Sequence, residues 1–401
     1  MNTATVFIKN PRYKTEKYGP AQLSLFDSNS IKAASSIVSS IPDYSFTRLI
    51  EMPISAKVFG VGNLYCKFEG DRFGGSSFKT LGLSNAVITA MRRLLSDTPG
   101  LDIQISDLID GKFRDKTKSI TLSAATSGNH GYALAWVSKL LGAECKIYCA
   151  EGVSKNRTDR ISALGAEVII VNGSFNEAVD LCNTQSHKFG YIVVSNAVQE
   201  NFEDIPKLIM NGYGIIAKEI SEQLTRVVPT HIFVGGGGGR LAASIAAYYS
   251  VETRFGSPKI IVVEPTASDC IFQSLTNGIL STSSSQGNSI MTGLVVKKPS
   301  PIAWEILEHN AFASMVISDE IALEVLRGVS VGIFGDPPIM IGETGIAAMA
   351  GFISASRSSL MRAELEISMD SNIVVVACEG VIDRELLDSL LIESNSHGIS
   401  P

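Results

Sequence analysis

The segment that decides the fold is residues 71–82, which read DRFGGSSFKTLG. Small residues and Phe78 precede Lys79, and the apolar stretch from Leu81 to Ile88 follows it, which predicts that Lys79 opens a buried helix. Burial disfavours the ammonium form of a lysine and leaves its amine available as a nucleophile. Such an amine can form a Schiff base with an aldehyde. Since most lysines are solvated surface charges, this interpretation depends on the loops described below.

Strand-like and helix-like runs alternate through the middle and second half of the chain. Such alternation predicts an α/β fold of parallel strands joined by right-handed crossovers. The predicted strands are 119–124, 145–149, 167–171, 191–194, 230–234, 259–263 and 373–377. The predicted helices are 132–141, 155–164, 176–188 and 241–249. The serine-rich stretch 281–289 is expected to be a surface loop.

The composition excludes several classes of protein. The 401 residues are 45% apolar and 18% charged, with a formal charge of −6, which is typical of a soluble globular protein and argues against nucleic acid or anionic membranes as partners. Residues 1–18 lack the pattern of a secretory signal, and no apolar run is long enough to span a bilayer. The six cysteines form no Cys-x-x-Cys pair, so neither structural zinc nor a disulfide framework is expected, and the expected location is the cytoplasm.

The first candidate binding loop is Ser127-Gly128-Asn129-His130-Gly131, between a predicted strand and a predicted helix. Ligands bind at the carboxyl ends of parallel strands in open α/β sheets, and glycines allow the backbone to approach them closely. Asn129 can donate a hydrogen bond to a phenolic oxygen, and His130 starts the helix. The alternative is an ordinary strand-to-helix turn.

The second candidate loop is the run of five glycines from Gly235 to Gly239, which follows a strand and opens a helix. Backbone amides at a helix N-terminus suit a phosphate. The spacing matches neither the P-loop nor the dinucleotide-binding fingerprint, so a nucleotide enzyme is the weaker phosphate hypothesis. A flexible loop without a ligand is the other alternative.

Two further segments carry candidate polar groups. Cys378 ends the last apolar strand, where a small polar side chain could meet a cofactor's ring nitrogen, although a free cysteine is usually a small buried hydrophobe. Residues 335–345 read GDPPIMIGETG, so that Asp336, Glu343 and Thr344 could face a substrate. A turn followed by a helix start explains this second segment equally well.

These elements, in this order, resemble the type II fold of pyridoxal phosphate (PLP) enzymes, the tryptophan synthase β-like group. The resemblance is closest to the diaminopropionate ammonia-lyase family and covers nearly the whole chain. It is carried by Leu23-Ser24-Leu25-Phe26, Arg72-Phe73, Ser77-Phe78-Lys79, Gly128-Asn129-His130-Gly131, Ile209-Met210-Asn211-Gly212-Tyr213 and the segment 335–345.

The resemblance implies two open, twisted, mostly parallel sheets with helices on both faces, in a homodimer. It implies a large PLP-binding domain of residues 1–85 and 197–401 and a small mobile domain of residues 86–196. It makes Lys79 the Schiff-base lysine beside Phe78, with Asn129 on the phenolic oxygen. It places the PLP phosphate on Gly235, Gly236, Gly237, Gly238 and Gly239, the pyridine nitrogen on Cys378, and the substrate near Ser127, Gly128, His130, Asp336, Glu343 and Thr344.

The chain departs from the lyase family at two catalytic positions. The family has an aspartate just before Gly-Asn-His-Gly, where this chain has Ser127, and a second one that matches Asn196. In the family these aspartates are the bases for the two mirror-image substrates. Serine and asparagine cannot take a proton at neutral pH, so Lys79 is the base that remains. The serine in this loop resembles the dehydratases and β-replacement enzymes, in which the lysine itself moves the α-proton.

The function that the resemblance implies is elimination on an amino acid with a leaving group on Cβ. Lys79 would release PLP to the substrate amine and then remove the α-proton. A neutral Cys378 does not force the ring nitrogen to stay protonated, which favours elimination. Loss of the leaving group would give an aminoacrylate. Water would convert the aminoacrylate into a keto acid and ammonia, whereas a second nucleophile would convert it into a non-standard amino acid. A non-catalytic relative that binds PLP or an amino acid is the alternative from another class.

Overall fold

The structure is a computed structural model, and it describes residues 5–75, 77–96, 103–126, 128–195 and 204–392. Its strands are β1 Val6–Lys9, β2 Leu49–Glu51, β3 Asn63–Phe68, β4 Thr121–Ala125, β5 Glu144–Ala150, β6 Glu167–Val171, β7 Ile192–Val193, β8 His231–Gly235, β9 Lys259–Pro265, β10 Ala311–Ile317 and β11 Asn372–Ala377.

Helices connect most of these strands. They are α1 Pro20–Leu25, α2 Ser28–Ser39, α3 Pro53–Val58, α4 Lys79–Ser96, α5 Ile105–Ile109, α6 Arg114–Thr117, α7 Asn129–Leu141, α8 Lys155–Ser162, α9 Phe175–Phe189, α10 Ile205–Gln223, α11 Arg240–Val251, α12 Cys270–Asn277, α13 Pro301–Asn310, α14 Asp319–Val331, α15 Ala347–Ser356, α16 Ser359–Glu364 and α17 Arg384–Ile392. Short 3₁₀ turns lie at Glu69–Gly74, Thr253–Phe255 and Thr292–Leu294.

The larger sheet has seven strands in the order β1-β10-β9-β8-β11-β3-β2. The five inner strands are parallel, and the short edge strands β1 and β2 pair antiparallel. Inner strands such as β8 and β10 are buried at every residue, because helices cover both faces of a parallel sheet. The predicted strands at 230–234, 259–263 and 373–377 are confirmed as β8, β9 and β11.

The smaller sheet has four parallel strands in the order β6-β5-β4-β7. The predicted alternation of strands and helices from 119 to 194 is confirmed, with boundaries that shift by three residues or fewer. Ser174 caps α9 by accepting from the Glu177 amide, and Gly190 ends that helix in the left-handed conformation at φ 74°. The mixed α/β architecture predicted from the sequence is therefore correct.

The chain divides into two compact units. One contains Met1–Ser28, Phe46–Ser77 and Ile216–Pro401, and the other contains Asn29–Ser45 and Phe78–Ile215. The larger sheet lies in the first unit and the smaller sheet in the second. The predicted boundaries, after residues 85 and 196, differ from this division, since α2 and the first turns of α4 group with the smaller sheet.

Helices α4 and α10 pack unusually closely within the second unit, which explains part of that difference. A Cβ built on Gly82 would lie 2.5 Å from the Tyr213 ring and 2.7 Å from the carbonyl oxygen of Ile209. A Cβ on Gly212 would lie 2.6 Å from the carbonyl oxygen of Leu81. Only glycine fits at both positions, so the two helix backbones meet directly and fix the start of α4 against α10.

Four charged side chains of the first unit are buried together. Lys67 Nζ lies 2.6 Å from Glu219 Oε2, and Arg72 bridges Glu219 at 2.8 Å and Glu69 at 3.0 Å. Thr47 Oγ1 donates to Glu69 at 2.7 Å. The four charged side chains are at most 1% exposed. The charges of two cations and two carboxylates cancel, so the cluster carries no net charge. Because Glu69 and Arg72 belong to the turn Glu69–Gly74, their bonds also hold that turn in place.

Two general features complete the fold. Within residues 5–392, apart from the gaps given above, no helix is both long and apolar enough to cross a membrane. All six cysteines are buried and carry free thiols.

Candidate active site

Lys79 is the first residue of α4, as the sequence predicts, and 12 of the 18 residues of that helix are buried. Lys79 itself is half-buried. Its Nζ lies 4.9 Å from the centre of the Phe78 ring and 5.9 Å from that of Tyr213. The two rings pack against each other with their centres 4.6 Å apart. The amine is therefore confined by two aromatic rings that are buried beside it.

The Gly128-Asn129-His130 loop lies at the end of β4, where α7 begins with Asn129. The His130 ring donates its Nε2–H to the Val194 carbonyl oxygen at 2.8 Å. A Cβ on Gly131 would lie 2.7 Å from Thr126 Cγ2, so the first turn of α7 sits tightly on the sheet. This arrangement fixes the position of Asn129 at the carboxyl edge of the smaller sheet.

The glycine segment 235–239 joins β8 to the buried helix α11. Gly237 and Gly239 have φ values of +54° and +86°, which disfavour other residues. A Cβ on Gly236 would lie 2.7 Å from Glu264 Cγ and 3.0 Å from Val262. Space and backbone conformation thus both require glycine here.

The carbonyl groups of this segment point toward protein donors. Gly236 O accepts from Gly239 N, and Gly238 O accepts from Ser300 N at 2.9 Å. Within the described part of the chain, by contrast, the amides of Gly237 and Gly238 donate to no protein acceptor. Two amides beside the N-terminus of a 12-residue helix are therefore available to an anion.

Cys378 follows β11, the neighbour of β8, so Cys378 and the glycine segment lie at the carboxyl ends of adjacent parallel strands. Glu379 Oε1 accepts from the Thr344 amide at 3.0 Å. Thr344 Oγ1 accepts from Gly293 N at 3.2 Å, and the Gly293 carbonyl borders Gly237. Hydrogen bonds and close contacts thus connect the predicted positions Thr344 and Gly237 within one unit.

Asp336 lies next to the start of α3. Its two carboxylate oxygens accept from the amides of Ile54 at 3.1 Å and Ser55 at 2.7 Å, at the start of α3. The side chain therefore caps that helix. Glu343 is buried, with 1% exposure, in the segment that follows. Substrate contact by Asp336 or Glu343 stays a prediction.

The predicted site residues fall into the two units. Phe78, Lys79, Gly128, Asn129 and His130 belong to the second unit. The glycine segment, Asp336, Glu343, Thr344 and Cys378 belong to the first. Ser127 and Asn196, which the resemblance matches to the two aspartates of the lyase family, lie outside the described residues.

Sequence reasoning missed two residues. Tyr213 lies in the segment Ile209–Tyr213, whose sequence indicates no role for it, and its ring confines Lys79. Glu264 was not singled out, although it is fully buried against Gly236. The signal for Glu264 was a charged residue directly after the apolar run IIVV of a strand predicted to be buried.

Comparison with known proteins shows what this arrangement is similar to. The sequence profile of the family described as "Pyridoxal-phosphate dependent enzyme" matches residues 42–379. The diaminopropionate ammonia-lyase of Escherichia coli K12 is 31% identical over 388 residues, which are 94% of each chain.

Solved structures agree with this sequence match. The crystal structure of holo diaminopropionate ammonia-lyase from Escherichia coli has a TM-score of 0.87 at 28% identity and covers 100% of both chains. The structure of that enzyme with an aminoacrylate-PLP azomethine intermediate has a TM-score of 0.84 and covers 100% of this chain and 99% of the other. The predicted type II fold and PLP as cofactor are confirmed. The chain belongs to the pyridoxal-phosphate-dependent enzymes and, within them, to the diaminopropionate ammonia-lyase family.

Proposed function

We propose that this protein is a PLP-dependent ammonia-lyase, which eliminates the β-substituent of an amino acid and yields a 2-keto acid and ammonia. The similarity to diaminopropionate ammonia-lyase along 94% of both chains carries this proposal. Lys79 at the start of a buried helix supports it. When bound, PLP supplies an aldehyde that links to amines and a ring that accepts the charge left by a departing proton.

The glycine segment fits the cofactor's phosphate. The amides of Gly237 and Gly238 are available, and a helix N-terminus attracts an anion. Asn129, at the first position of α7, is proposed to donate to the phenolic oxygen. Cys378 is proposed to face the ring nitrogen, where a neutral thiol leaves that nitrogen free to stay unprotonated.

Lys79 is proposed to have two roles. Its amine binds the cofactor's aldehyde before the substrate arrives, and afterwards Nζ holds the proton taken from the substrate's α-carbon. The rings of Phe78 and Tyr213 restrict where that nitrogen can lie, which reduces the conformational freedom lost on reaching the α-proton.

A β-replacement synthase is the second candidate function. It is favoured by Ser127 and Asn196, which replace the two aspartates of the lyase family. An amino-acid panel assayed for keto acid, with and without added thiols or amines, distinguishes the two functions. Release of keto acid in the absence of an added nucleophile supports the lyase. Formation of a new amino acid only in the presence of the added nucleophile would instead support the synthase.

The resemblance also supports a cytoplasmic homodimer as the working form. Light scattering on the purified holoenzyme should then give twice the chain mass of 42.8 kDa. A mass equal to that of one chain would contradict the proposed dimer and would leave the proposed reaction untouched.

Valine at Gly236 and Gly237 should weaken PLP binding at least about tenfold, because the side chains force a change in the phosphate-binding backbone. At Gly236 the new Cβ would meet Glu264 Cγ at 2.7 Å, and at Gly237 a φ of +54° disfavours valine. PLP affinity is measured by equilibrium dialysis. Gly238→Ala is the sterically mild comparison, since its Cβ would approach protein atoms no closer than 3.6 Å. Unchanged affinity in the valine variant would place the phosphate elsewhere.

The enzyme should process one enantiomer of 2,3-diaminopropionate, the L form, and fail on the D form. With Ser127 and Asn196 at the family's two base positions, Lys79 is the proposed base, and a tethered amine reaches the α-proton from one face only. Ser127→Asp should add turnover of the D form by introducing a carboxylate base, with Ser127→Asn as the control of similar size. Keto-acid formation from each enantiomer is the measurement. Equal rates of wild type on both forms would show that another base acts.

A further inference from the structure

Arg240 is the first residue of α11 and directly follows the glycine segment. Gly238 and Arg240 are half-buried, whereas the other four residues of 235–240 are buried. A Cβ built on Gly238 would lie 3.6 Å from Arg240 Nη1 and 3.7 Å from Val296 Cγ1. The guanidinium group of Arg240 therefore lies beside a glycine whose amide is available to an anion.

The N-terminus of α11 is an unfavourable place for a cation unless an anion lies next to it. A helix dipole places partial positive charge at this end, where acidic side chains are stabilising. Helix α11 nevertheless has no acidic residue in its first turn, and its N-cap, Gly239, provides no side-chain hydrogen bond. Arg240 adds a full positive charge to the same end. A conflict of this kind between local electrostatics and sequence is typical of a functional site.

Part of the Arg240 side chain is shielded from water. Its Nε is buried, although the residue as a whole is only half-buried. A guanidinium group stays charged in proteins. Charges that are partly withdrawn from water attract an opposite charge more strongly and are screened less by salt than exposed charges. An anion on the glycine segment would therefore gain more from Arg240 than from a solvated surface cation.

Lys297 is the alternative cation, because it follows Val296, which borders Gly238. Its Nζ donates to the carbonyl oxygens of Ala267 and Ser285, at 2.7 Å in each case. These two bonds hold the ammonium group against other parts of the chain. The geometry therefore favours Arg240 as the cation of the glycine segment.

Glu264 is an acidic residue in contact with the segment, since a Cβ on Gly236 would lie 2.7 Å from its Cγ. Its carboxyl oxygens accept from the amides of Ile271 at 2.8 Å and Phe272 at 2.7 Å, in the first turn of α12. The Ser314 hydroxyl on β10 lies 3.0 Å from Oε2. These contacts direct the carboxyl group toward α12 and β10.

We propose that Arg240 binds the phosphate of PLP, as a charged side chain that supplements the amides of Gly237 and Gly238. A phosphate monoester carries a charge of about −1.5 to −2 near neutral pH, which neutral amides alone do not balance. The planar guanidinium group can donate to two phosphate oxygens at once. The inference rests on the proposed phosphate site and is independent of the lyase reaction.

Arg240→Met tests this role through the dissociation constant of PLP, measured by equilibrium dialysis. Methionine is a good helix former of similar length and has no charge. PLP should bind at least about tenfold more weakly, as expected for the loss of a hydrogen bond to a charged group. Arg240→Lys keeps the charge without the planar fork, so its affinity should lie between those of wild type and Arg240→Met. Unchanged affinity in Arg240→Met, or equal affinities of the two variants, would overturn the proposal.

Pyridoxal, which lacks the phosphate, separates a phosphate contact from a change in the shape of the site. Its affinity should be the same for wild type and Arg240→Met. Equal weakening of PLP and pyridoxal binding would overturn the proposal, because Arg240 would then only support the loop. Arg254→Met removes an exposed arginine beyond the other end of α11 and should bind PLP as wild type does. The same loss in Arg254→Met would make net charge, and not a contact, the cause.

A crystal structure of the wild-type holoenzyme covers the case in which Arg240→Met does not fold. It should place a guanidinium nitrogen of Arg240 within about 3.2 Å of a phosphate oxygen. A phosphate on Gly237 and Gly238 with Arg240 turned away would refute this inference alone. A phosphate bound elsewhere would refute the proposed phosphate site as well, and the keto-acid assay tests the proposed reaction separately.

Discussion

Lys79→Ala should abolish covalent attachment of PLP and lower turnover at least about 10³-fold, because we propose that this one amine is both the cofactor's anchor and the base. The loss of the amine leaves the proposed phosphate contacts of Gly237 and Gly238 in place, so PLP should still bind, but without a covalent link. Borohydride reduction followed by peptide mass mapping is the direct measurement. It should label the peptide with Lys79 in wild type and no lysine in the variant.

A fully buried lysine and an exposed one offer comparisons. Lys67 is 0% exposed and bonded to Glu219, Thr47 and Gln223, so its amine is occupied within the protein. Lys112→Ala, which removes an exposed lysine, should leave both the covalent link and turnover unchanged. A reducible adduct on Lys67, or on any other lysine of the Lys79→Ala protein, would overturn the assignment of Lys79.

The sequence predicted several elements from their apolar runs. The pattern at 167–171 matched β6 residue for residue, and the buried run after Phe78 became α4. The strands β1, β2, β3 and β10 were not predicted. The edge strands β1 and β2 have only four and three residues with mixed exposure, which carry too little periodicity.

The candidate site was predicted unevenly, for a physical reason. Gly237 and Gly239 were identifiable because a positive φ favours glycine, so the residue type itself indicates the backbone conformation. Asp336 was ambiguous, since an acidic residue next to prolines can bind a substrate or cap a helix, and only the distances to Ile54 and Ser55 reveal the cap. Glu264 acquires its importance from a contact with Gly236, which is distant in sequence.

The division of the chain into two units differs from the predicted domain boundary at α4. The resemblance implies that the start of α4, up to residue 85, belongs to the large domain. Its packing partner is α10, reached through Gly82 and Gly212. A contact between two glycines more than a hundred residues apart leaves no periodic signal, so the sequence pattern does not reveal this packing.

Arg72→Met should destabilise the protein by about 3–5 kcal/mol, because it leaves two buried carboxylates facing one cation. Arg72 binds both Glu69 and Glu219, and its side chain is 1% exposed. Methionine keeps much of the volume of the side chain without its charge. Urea denaturation gives the change in the free energy of unfolding. Arg48→Ala breaks an exposed pair with Asp71 in the same region and should cost less than about 1 kcal/mol.

A second substitution separates lost charge balance from lost packing. Adding Glu69→Gln to Arg72→Met restores neutrality and leaves the pair between Lys67 and Glu219 at 2.6 Å intact. The double variant should therefore be more stable than Arg72→Met alone. If it is less stable by the sum of both single effects, charge balance is not what the cluster provides.

The effect of Arg72→Met should also depend on pH in a predictable direction. Burial tends to raise the pKa of Glu219, but the hydrogen bonds and charges of Arg72 and Lys67 outweigh it and lower that pKa below its ordinary value of 4.5. A carboxyl whose pKa is lowered by folding stabilises the protein above its unfolded pKa and loses that contribution as the pH falls through its folded pKa. Arg72→Met removes the main cause of the lowering. The stability difference from wild type should therefore be largest above about pH 5 and shrink on acidification, and a difference that grows toward low pH would show that Glu219 is not ionised in the native cluster.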